Sequence, residues 1–279
     1  MQVYFWQIFI LAIIQSIAEL FPISSSAHVI LAEKWMKLDP SAPEMIALLI
    51  LLHTGTMSAV CIYFWKRWRK WTFHELKILG IATFFTGIMG LALKILIEEL
   101  LFKKCLGKPF LEVENLFKNL SLIAIALFLS GMLVFYTGLK SPQGNKKMTL
   151  LAGIKMGLIQ GLCLPFRGFS RSGATISVGL LSGVQREQVE EMSFAMGFIL
   201  TPVALLYQIL KIFKQTPEVF VQKMQELFLT GTFAFFLSFL AGLVALKWLS
   251  IWLKRNYWKY FGLYGISLGA GILIYLSLS

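Results

Sequence analysis

Charged residues are scarce in this chain of 279 residues, and their scarcity excludes an ordinary soluble domain. Asp, Glu, Lys and Arg together make up 14% of the sequence, whereas soluble domains carry about 25% charged residues. Hydrophobic residues reach 57%, and the mean hydropathy is +0.74. Apolar runs long enough for a helix to cross a bilayer recur along the chain. The composition therefore predicts a polytopic membrane protein.

Cysteines and acidic residues are also few. The three cysteines are scattered, which excludes a disulfide framework and a paired-cysteine metal site. Acidic residues number 14 against 26 basic ones. Because the basic residues flank apolar runs, the positive-inside rule accounts for them, and no nucleic-acid partner is expected. No cleavable signal is predicted, since the first apolar run (residues 3–21) lacks a preceding basic segment.

The apolar runs follow one order twice. A run at residues 3–21, broken by a proline and three serines, precedes a short helix at 27–36, and three spans follow at 42–65, 78–97 and 120–139. The second set has a broken pair at 150–164 and 174–184, then spans at 192–212, 227–249 and 258–278. Paired interrupted segments in the two halves of a membrane protein are typical of a site at the bilayer midplane.

These runs predict an all-α polytopic membrane protein that forms a single integral membrane domain over residues 1–279. It has two inverted repeats, about 1–140 and about 150–279, and each is a re-entrant helix-loop-helix plus three transmembrane helices. The inversion follows because three spans per half is an odd number. The loops that would share the cytoplasmic side carry a large excess of Lys and Arg, as the positive-inside rule requires. The two re-entrant segments then enter from opposite sides, and their tips meet.

The first broken segment contains polar residues that are rare at membrane depth. Gln15 and Glu19 are four residues apart, so they share one helix face. An acid inside a membrane segment indicates a functional site, and Glu19 is interpreted as a metal ligand or general base. Ser24, Ser25 and Ser26 follow a proline, and Ser24 or Ser26 is expected to cap a helix. His28 lies close by and is the usual base for a serine nucleophile.

The second broken segment contains two arginines. Arg171 is the strongest candidate for a phosphate ligand, because its planar fork matches phosphate oxygens. An ion pair with Glu19 is compatible with that role. Two roles are open for Arg167. Its side chain extends toward the membrane surface, or it sets the geometry of the helix. Hydroxyl groups that could donate to phosphate or cap the next helix are those of Ser170, Ser172 and Thr175.

A third polar segment, residues 53–56, reads His-Thr-Gly-Thr within a predicted span. Two interpretations of this segment stay open with equal weight, namely close helix packing and a functional role.

Two motifs resemble those of the undecaprenyl-diphosphate phosphatase family, the bacterial integral-membrane enzymes also called bacitracin-resistance proteins. They are Gln-x-x-x-Glu followed by Pro-Ile-Ser-Ser-Ser-Ala-His, and Gly-Phe-Ser-Arg-Ser-Gly-Ala-Thr. The segment Leu-His-Thr-Gly-Thr resembles a further stretch of the family. The second motif usually begins Pro-Gly, but here Phe166 and Arg167 separate Pro165 from Gly168. In the first motif, Gln15 stands at an acid-or-amide position, which removes one carboxylate from metal binding.

The resemblance implies an enzyme that converts undecaprenyl diphosphate to undecaprenyl phosphate and inorganic phosphate, which recycles the lipid carrier for cell-wall synthesis. It implies a divalent cation, Mg²⁺ or Ca²⁺, for which Glu19 and Gln15 are the assigned ligands. By position, the catalytic residues are Glu19, Ser25, His28 and Arg171. The substrate-binding set is Ser24, Ser26, Ser170, Arg171, Ser172 and Thr175. Ser25, His28 and water are all candidates for the nucleophile.

The expected partners are a polyprenyl diphosphate lipid and the bilayer, and a homodimer is kept open. The expected location is the bacterial inner membrane, with multiple spans and the active site toward the outer side. Acid-phosphatase-like lipid phosphatases are rejected, because they need a histidine four residues before an aspartate and the single aspartate, Asp39, lacks one. A polyprenyl-phosphate transporter or flippase is the alternative function, since broken helices in two inverted halves are the layout of transporters.

Overall fold

The computed structural model describes residues 5–40, 42–105, 107, 113, 116, 119–140, 144–215 and 228–278. Over these ranges the chain is mostly helical, with turns and short loops between the helices. A single isolated backbone bridge, between Lys146 and Val184, lies outside the helices there. The predicted all-α class is therefore confirmed.

Ten α-helices are described in these ranges. They are α1 (Phe5–Leu20), α2 (Ser25–Trp35), α3 (Pro43–Trp68), α4 (Phe73–Ile95), α5 (Leu120–Lys140), α6 (Leu150–Cys163), α7 (Arg171–Leu181), α8 (Arg186–Gln215), α9 (Phe228–Lys254) and α10 (Trp258–Leu278). A π-helix, Leu96–Cys105, continues α4.

Six of the described helices are long and apolar enough to cross a membrane, which confirms the number of predicted spans. They are α3, α4 with its π-helical extension, α5, α8, α9 and α10. The other apolar helices are shorter: α1 has 16 residues and α6 has 14. At 1.5 Å per residue neither reaches the roughly 30 Å of a hydrocarbon core, as expected of segments that enter and return.

Several helices begin earlier than the apolar runs indicated, because polar residues cap them. Helix α7 begins at Arg171, where the Ser170 hydroxyl accepts a hydrogen bond from the Gly173 amide at 3.2 Å. Helix α4 begins at Phe73, after a capping box formed by Thr72 and Glu75. Hydropathy alone does not register such caps.

The short helices pack in a reciprocal way. Helix α6 of the second half packs on α4 of the first, and α1 of the first half packs on α9 of the second. The largest buried cluster takes side chains from both halves, including Leu20, Phe64, Met156, Leu180, Phe194, Leu246 and Trp258. The two halves therefore share one core. The opposite orientation of the halves across a membrane, and the repeat boundaries, stay predictions.

Helices α5 and α10 form the most extensive helix pair, and glycines allow their close approach. A Cβ at Gly262 would overlap the backbone of Phe135, and one at Gly138 would overlap the backbone of Lys259. Small residues at such crossings let backbones pack tightly in membrane proteins.

We expect Gly262→Ala to destabilise the protein by about 1–3 kcal/mol, because its methyl group would force α5 and α10 apart. Thermal unfolding in detergent measures the effect. Gly271→Ala is the matched control on the same helix, because a Cβ there has no atom within 4 Å. Equal melting temperatures for the two variants would contradict the packing described.

Candidate active site

The two breaks in the short helices lie against each other. The Gly168 amide, in the break between α6 and α7, donates to the Ser26 hydroxyl at 3.2 Å. The Ser172 hydroxyl donates to the carbonyl of Phe21, in the break between α1 and α2, at 3.1 Å. The predicted meeting of the two tips is therefore confirmed by direct hydrogen bonds.

Glu19, at the end of α1, accepts contacts on both carboxylate oxygens. Its Oε1 lies 3.2 Å from Nη2 of Arg171. Its Oε2 accepts from the Ser25 hydroxyl at 2.7 Å and from the Gln15 amide at 3.1 Å. This carboxylate is 8% exposed, so burial strengthens each of these contacts. The ion pair between Glu19 and Arg171, which the sequence left open as an alternative, is present.

Arg171, the first residue of α7, fits into a space left by a glycine. A Cβ at Gly197 of α8 would overlap Nη1 of the guanidinium. That Nη1 atom is buried and has no hydrogen-bond partner among the residues the structure describes. A buried donor that lacks an acceptor is costly, and an anionic ligand is a natural acceptor for it.

A cavity opens where the tips meet. Its wall includes Glu19 and both arginines of the second break. The other lining residues are Ala18, Ser24, Ser25, Ser26, Cys163, Leu164, Phe166, Phe169, Ser170 and Ser172. Guanidinium groups and serine hydroxyls around one small space form an environment suited to a phosphate group. Most of the residues assigned from the motifs are thus brought together here.

Ser24 lies at the cavity wall in a strained backbone conformation. Its φ of 69° and ψ of 98° are unusual for a residue other than glycine. It stands at the N-cap position of α2, but its side chain makes no capping hydrogen bond. The capping role considered for Ser24 or Ser26 is therefore wrong for Ser24, and Ser26 lies inside the helix. Backbone strain of this kind is concentrated at functional sites.

Thr175 and Gln15 lie next to the cavity rather than in its wall. The Thr175 side chain is fully buried, donates to the Arg171 carbonyl at 2.9 Å and lies 2.6 Å from the Ser193 hydroxyl. Gln15 is buried behind Glu19. In this arrangement Thr175 supports the first turn of α7, and Gln15 orients the carboxylate.

His28 points away from Ser25. Its Nδ1 lies 2.8 Å from the Ser24 carbonyl, which can only accept, so the neutral ring carries its proton on Nδ1. Its Nε2 can then accept from the Tyr264 hydroxyl at 2.7 Å, and the two rings are stacked. Glu19, and not His28, is therefore the group bonded to the Ser25 hydroxyl.

His53 of α3 is a neighbour of Glu19 that the two motifs do not include. Its Nδ1 lies 2.9 Å from Nε2 of Gln15 and 3.6 Å from Oε2 of Glu19. Two residues on, a Cβ at Gly55 would overlap the Phe235 carbonyl, so the same segment also serves close packing. The signal available was a lone histidine in an apolar span, within the segment Leu-His-Thr-Gly-Thr that resembles the family.

The donors around Glu19 limit how a metal ion could be held. Glu19 is the one acid in the described cavity wall, and the described residues contain no cluster of three His, Cys, Asp or Glu side chains able to hold a metal. Mg²⁺ is commonly bound by one or two carboxylates together with substrate phosphates. The donors therefore fit a cation whose shell is completed by the phosphates of a ligand.

Comparison with known proteins identifies the family. The model of the bacitracin resistance protein BacA family matches residues 8–271. This chain belongs to that family. The family resemblance read from the two motifs is thereby confirmed.

Curated relatives of this BacA-family chain are similar over most of their length. Undecaprenyl-diphosphatase 2 of Acinetobacter baylyi is 43% identical over 276 residues, which cover 95% of this chain and 96% of the relative. Undecaprenyl-diphosphatase of Desulfitobacterium hafniense is 31% identical over 283 residues, with 96% and 94% covered. The enzyme of that name from Bdellovibrio bacteriovorus is 29% identical over 274 residues, with the same coverage.

We expect Gly197→Ala to weaken the binding of inorganic phosphate about tenfold without unfolding the protein. The added methyl group displaces the end of a flexible arginine side chain, so the geometry of Arg171 changes more than the stability does. A tenfold loss corresponds to about 1.4 kcal/mol, the size of one charge-assisted hydrogen bond. Calorimetry on the purified protein measures it.

Gly87→Ala is the control, because a Cβ at Gly87 has no atom within 4 Å. Phosphate binding of equal strength in the two variants would show that Arg171 does not depend on the space at Gly197.

Proposed function

We propose that this protein hydrolyses undecaprenyl diphosphate to undecaprenyl phosphate and inorganic phosphate. Membership of the BacA family and the names of the full-length relatives support this reaction over lipid transport. The structural observation that carries the proposal is the shared position of Glu19, Ser25 and Arg171 at one cavity. In the cell, the product would return to cell-wall synthesis as the lipid carrier.

Arg171 is the proposed clamp for the phosphate that is removed. Its Nη2 contacts Glu19, and its buried Nη1 provides a further donor. Ser170 and Ser172 line the same cavity, and the Ser172 hydroxyl would have to leave the Phe21 carbonyl before it could donate to phosphate. Donors fixed before the reaction stabilise the charge that spreads over the phosphate oxygens in the transition state.

Ser25 is the proposed nucleophile, and the contact that supports it is its 2.7 Å hydrogen bond to Glu19. The Ser25 hydroxyl attacks the terminal phosphorus, and its proton passes to Glu19. The bond from that phosphorus to the bridging oxygen breaks, and undecaprenyl phosphate leaves. Water then hydrolyses the phosphoserine and releases inorganic phosphate. His28 and water are the competing nucleophiles, and His28 would first have to leave Tyr264.

A divalent cation, Mg²⁺ or Ca²⁺, is proposed as the cofactor. Glu19 and the amide oxygen of Gln15 would hold it together with substrate phosphate oxygens. When bound, such a cation neutralises phosphate charge during transfer. Because the protein supplies a single carboxylate, the affinity for the cation would depend strongly on whether the phosphates of the substrate are bound.

The proposed location is the bacterial plasma membrane, with the cavity accessible from the outer side. The loops around residues 66–77, 140–150 and 247–259 carry the excess of basic residues. By the positive-inside rule these loops lie in the cytoplasm. The lipid tail of the substrate would lie along apolar helix surfaces that face the bilayer.

We expect Arg171→Ala to lower phosphate release from undecaprenyl diphosphate by at least about 100-fold, because the main phosphate ligand is removed. The assay uses purified protein in detergent. We expect Ser25→Ala to cause a similar loss if the serine is the nucleophile.

Arg69→Ala, which removes an exposed arginine far along the sequence from both breaks, is the control and is expected to keep its activity. Retention of most activity by Arg171→Ala would reject the clamp. Full activity of Ser25→Ala would leave His28 or water as the nucleophile. Phosphate release without lipid transport in liposomes excludes the flippase alternative.

We expect removal of divalent cations by a chelator to abolish phosphate release, and Mg²⁺ or Ca²⁺ to restore it. Gln15→Glu adds a carboxylate beside Glu19 and should lower the cation concentration needed for half-maximal activity. Activity that is unchanged in excess chelator would argue against the cation.

A further inference from the structure

A second arginine lines the same cavity, and the proposed clamp gives it no role. Arg167 lies in the break between α6 and α7, four residues before Arg171, and both border the cavity with the serines of the first tip. In the sequence, it is one of two residues that separate Pro165 from Gly168. Its position on the cavity wall requires an explanation beyond helix geometry.

The backbone around Arg167 is fixed next to the first tip. Gly168 has a φ of 99°, which favours glycine, and a Cβ there would overlap the Ile123 backbone on α5. Its amide donates to Ser26 at 3.2 Å. A hydrogen bond of 3.1 Å from the Phe169 amide to the Phe166 carbonyl closes a turn that contains Arg167. The backbone of Arg167 is therefore held at a defined position in the cavity wall.

Arg167 acts electrostatically on a buried acid, Glu33. Glu33 of α2 is 1% exposed. Oε1 of Glu33 has no hydrogen-bond partner among the residues described. A buried carboxylate of this kind attracts a nearby guanidinium. Arg171 thus contacts the acid Glu19 directly, and Arg167 acts electrostatically on a second acid of the first helix pair, Glu33.

We propose that Arg167 binds the phosphate that stays on the lipid, while Arg171 binds the phosphate that is removed. This inference rests on the proposed hydrolase function. A diphosphate has two charged phosphates and can engage both guanidinium groups at once, whereas inorganic phosphate engages one. Arg167 thereby adds affinity for the lipid-linked phosphate, and the site discriminates the lipid substrate from inorganic phosphate.

The test measures direct binding of two probes to purified protein in detergent: undecaprenyl phosphate and inorganic phosphate. Arg167→Ala is expected to weaken binding of undecaprenyl phosphate about 10- to 100-fold, the range for one hydrogen-bonded ion pair, and to leave inorganic phosphate within about threefold. Arg171→Ala is expected to give the opposite pattern. For hydrolysis, Arg167→Ala should raise KM for the diphosphate with little change in kcat.

Arg69→Ala removes the same charge away from the cavity and is expected to change neither probe. If Arg167→Ala does not fold, as judged by thermal unfolding, Arg167→Lys replaces it. Lysine keeps the charge without the fork, so an intermediate loss confined to undecaprenyl phosphate supports the assignment. Equal weakening of both probes, or of neither, overturns it. Wild-type protein that binds both probes but releases no phosphate refutes the hydrolase proposal and leaves the binding test intact.

Discussion

The ion pair between Glu19 and Arg171 is the contact on which the cavity depends. The two residues are 152 positions apart and meet at 3.2 Å in a largely buried place. A charge removed from water and left alone costs several kcal/mol, so each group needs the other until a ligand arrives. The hydrogen bonds at Ser26 and Phe21 hold the two chain breaks close enough for this pair to form. The proposed phosphate binding uses Nη1 of Arg171, which has no hydrogen-bond partner in the described part of the chain.

The breaks themselves follow from simple chemistry. Proline and clustered serines end α1, and proline and glycine separate α6 from α7. Open backbone at membrane depth is tolerated where it is buried in protein or lines a polar cavity. The same interruptions therefore make short helices, expose backbone amides and create the space for a polar ligand. Glycines away from the cavity, at the crossing of α5 and α10, bring long helices close around it.

The sequence allowed much of this architecture to be predicted, because hydropathy and charge are local signals. Six spans, two broken segments and the meeting of Glu19 with Arg171 were all expected from patterns of apolar runs and from polar residues placed within them. Contacts made by residues without a distinctive signal were not. Gly197 resembles any other helical glycine, yet it makes room for the guanidinium. The orientation of His28 toward Tyr264 depends on a helix 236 residues away, which no local pattern encodes.

Because Glu19 lies in the first helix and Arg171 in the seventh, the ribosome makes the acid long before its cation. Until the later segment emerges, the carboxylate has the neutral partners Ser25 and Gln15 and the nearby His53. An acid in this state disfavours stable burial in lipid. The ion pair with Arg171 can form only after the second half of the chain has been made. The cavity wall takes residues from both broken segments, so it is completed late in synthesis.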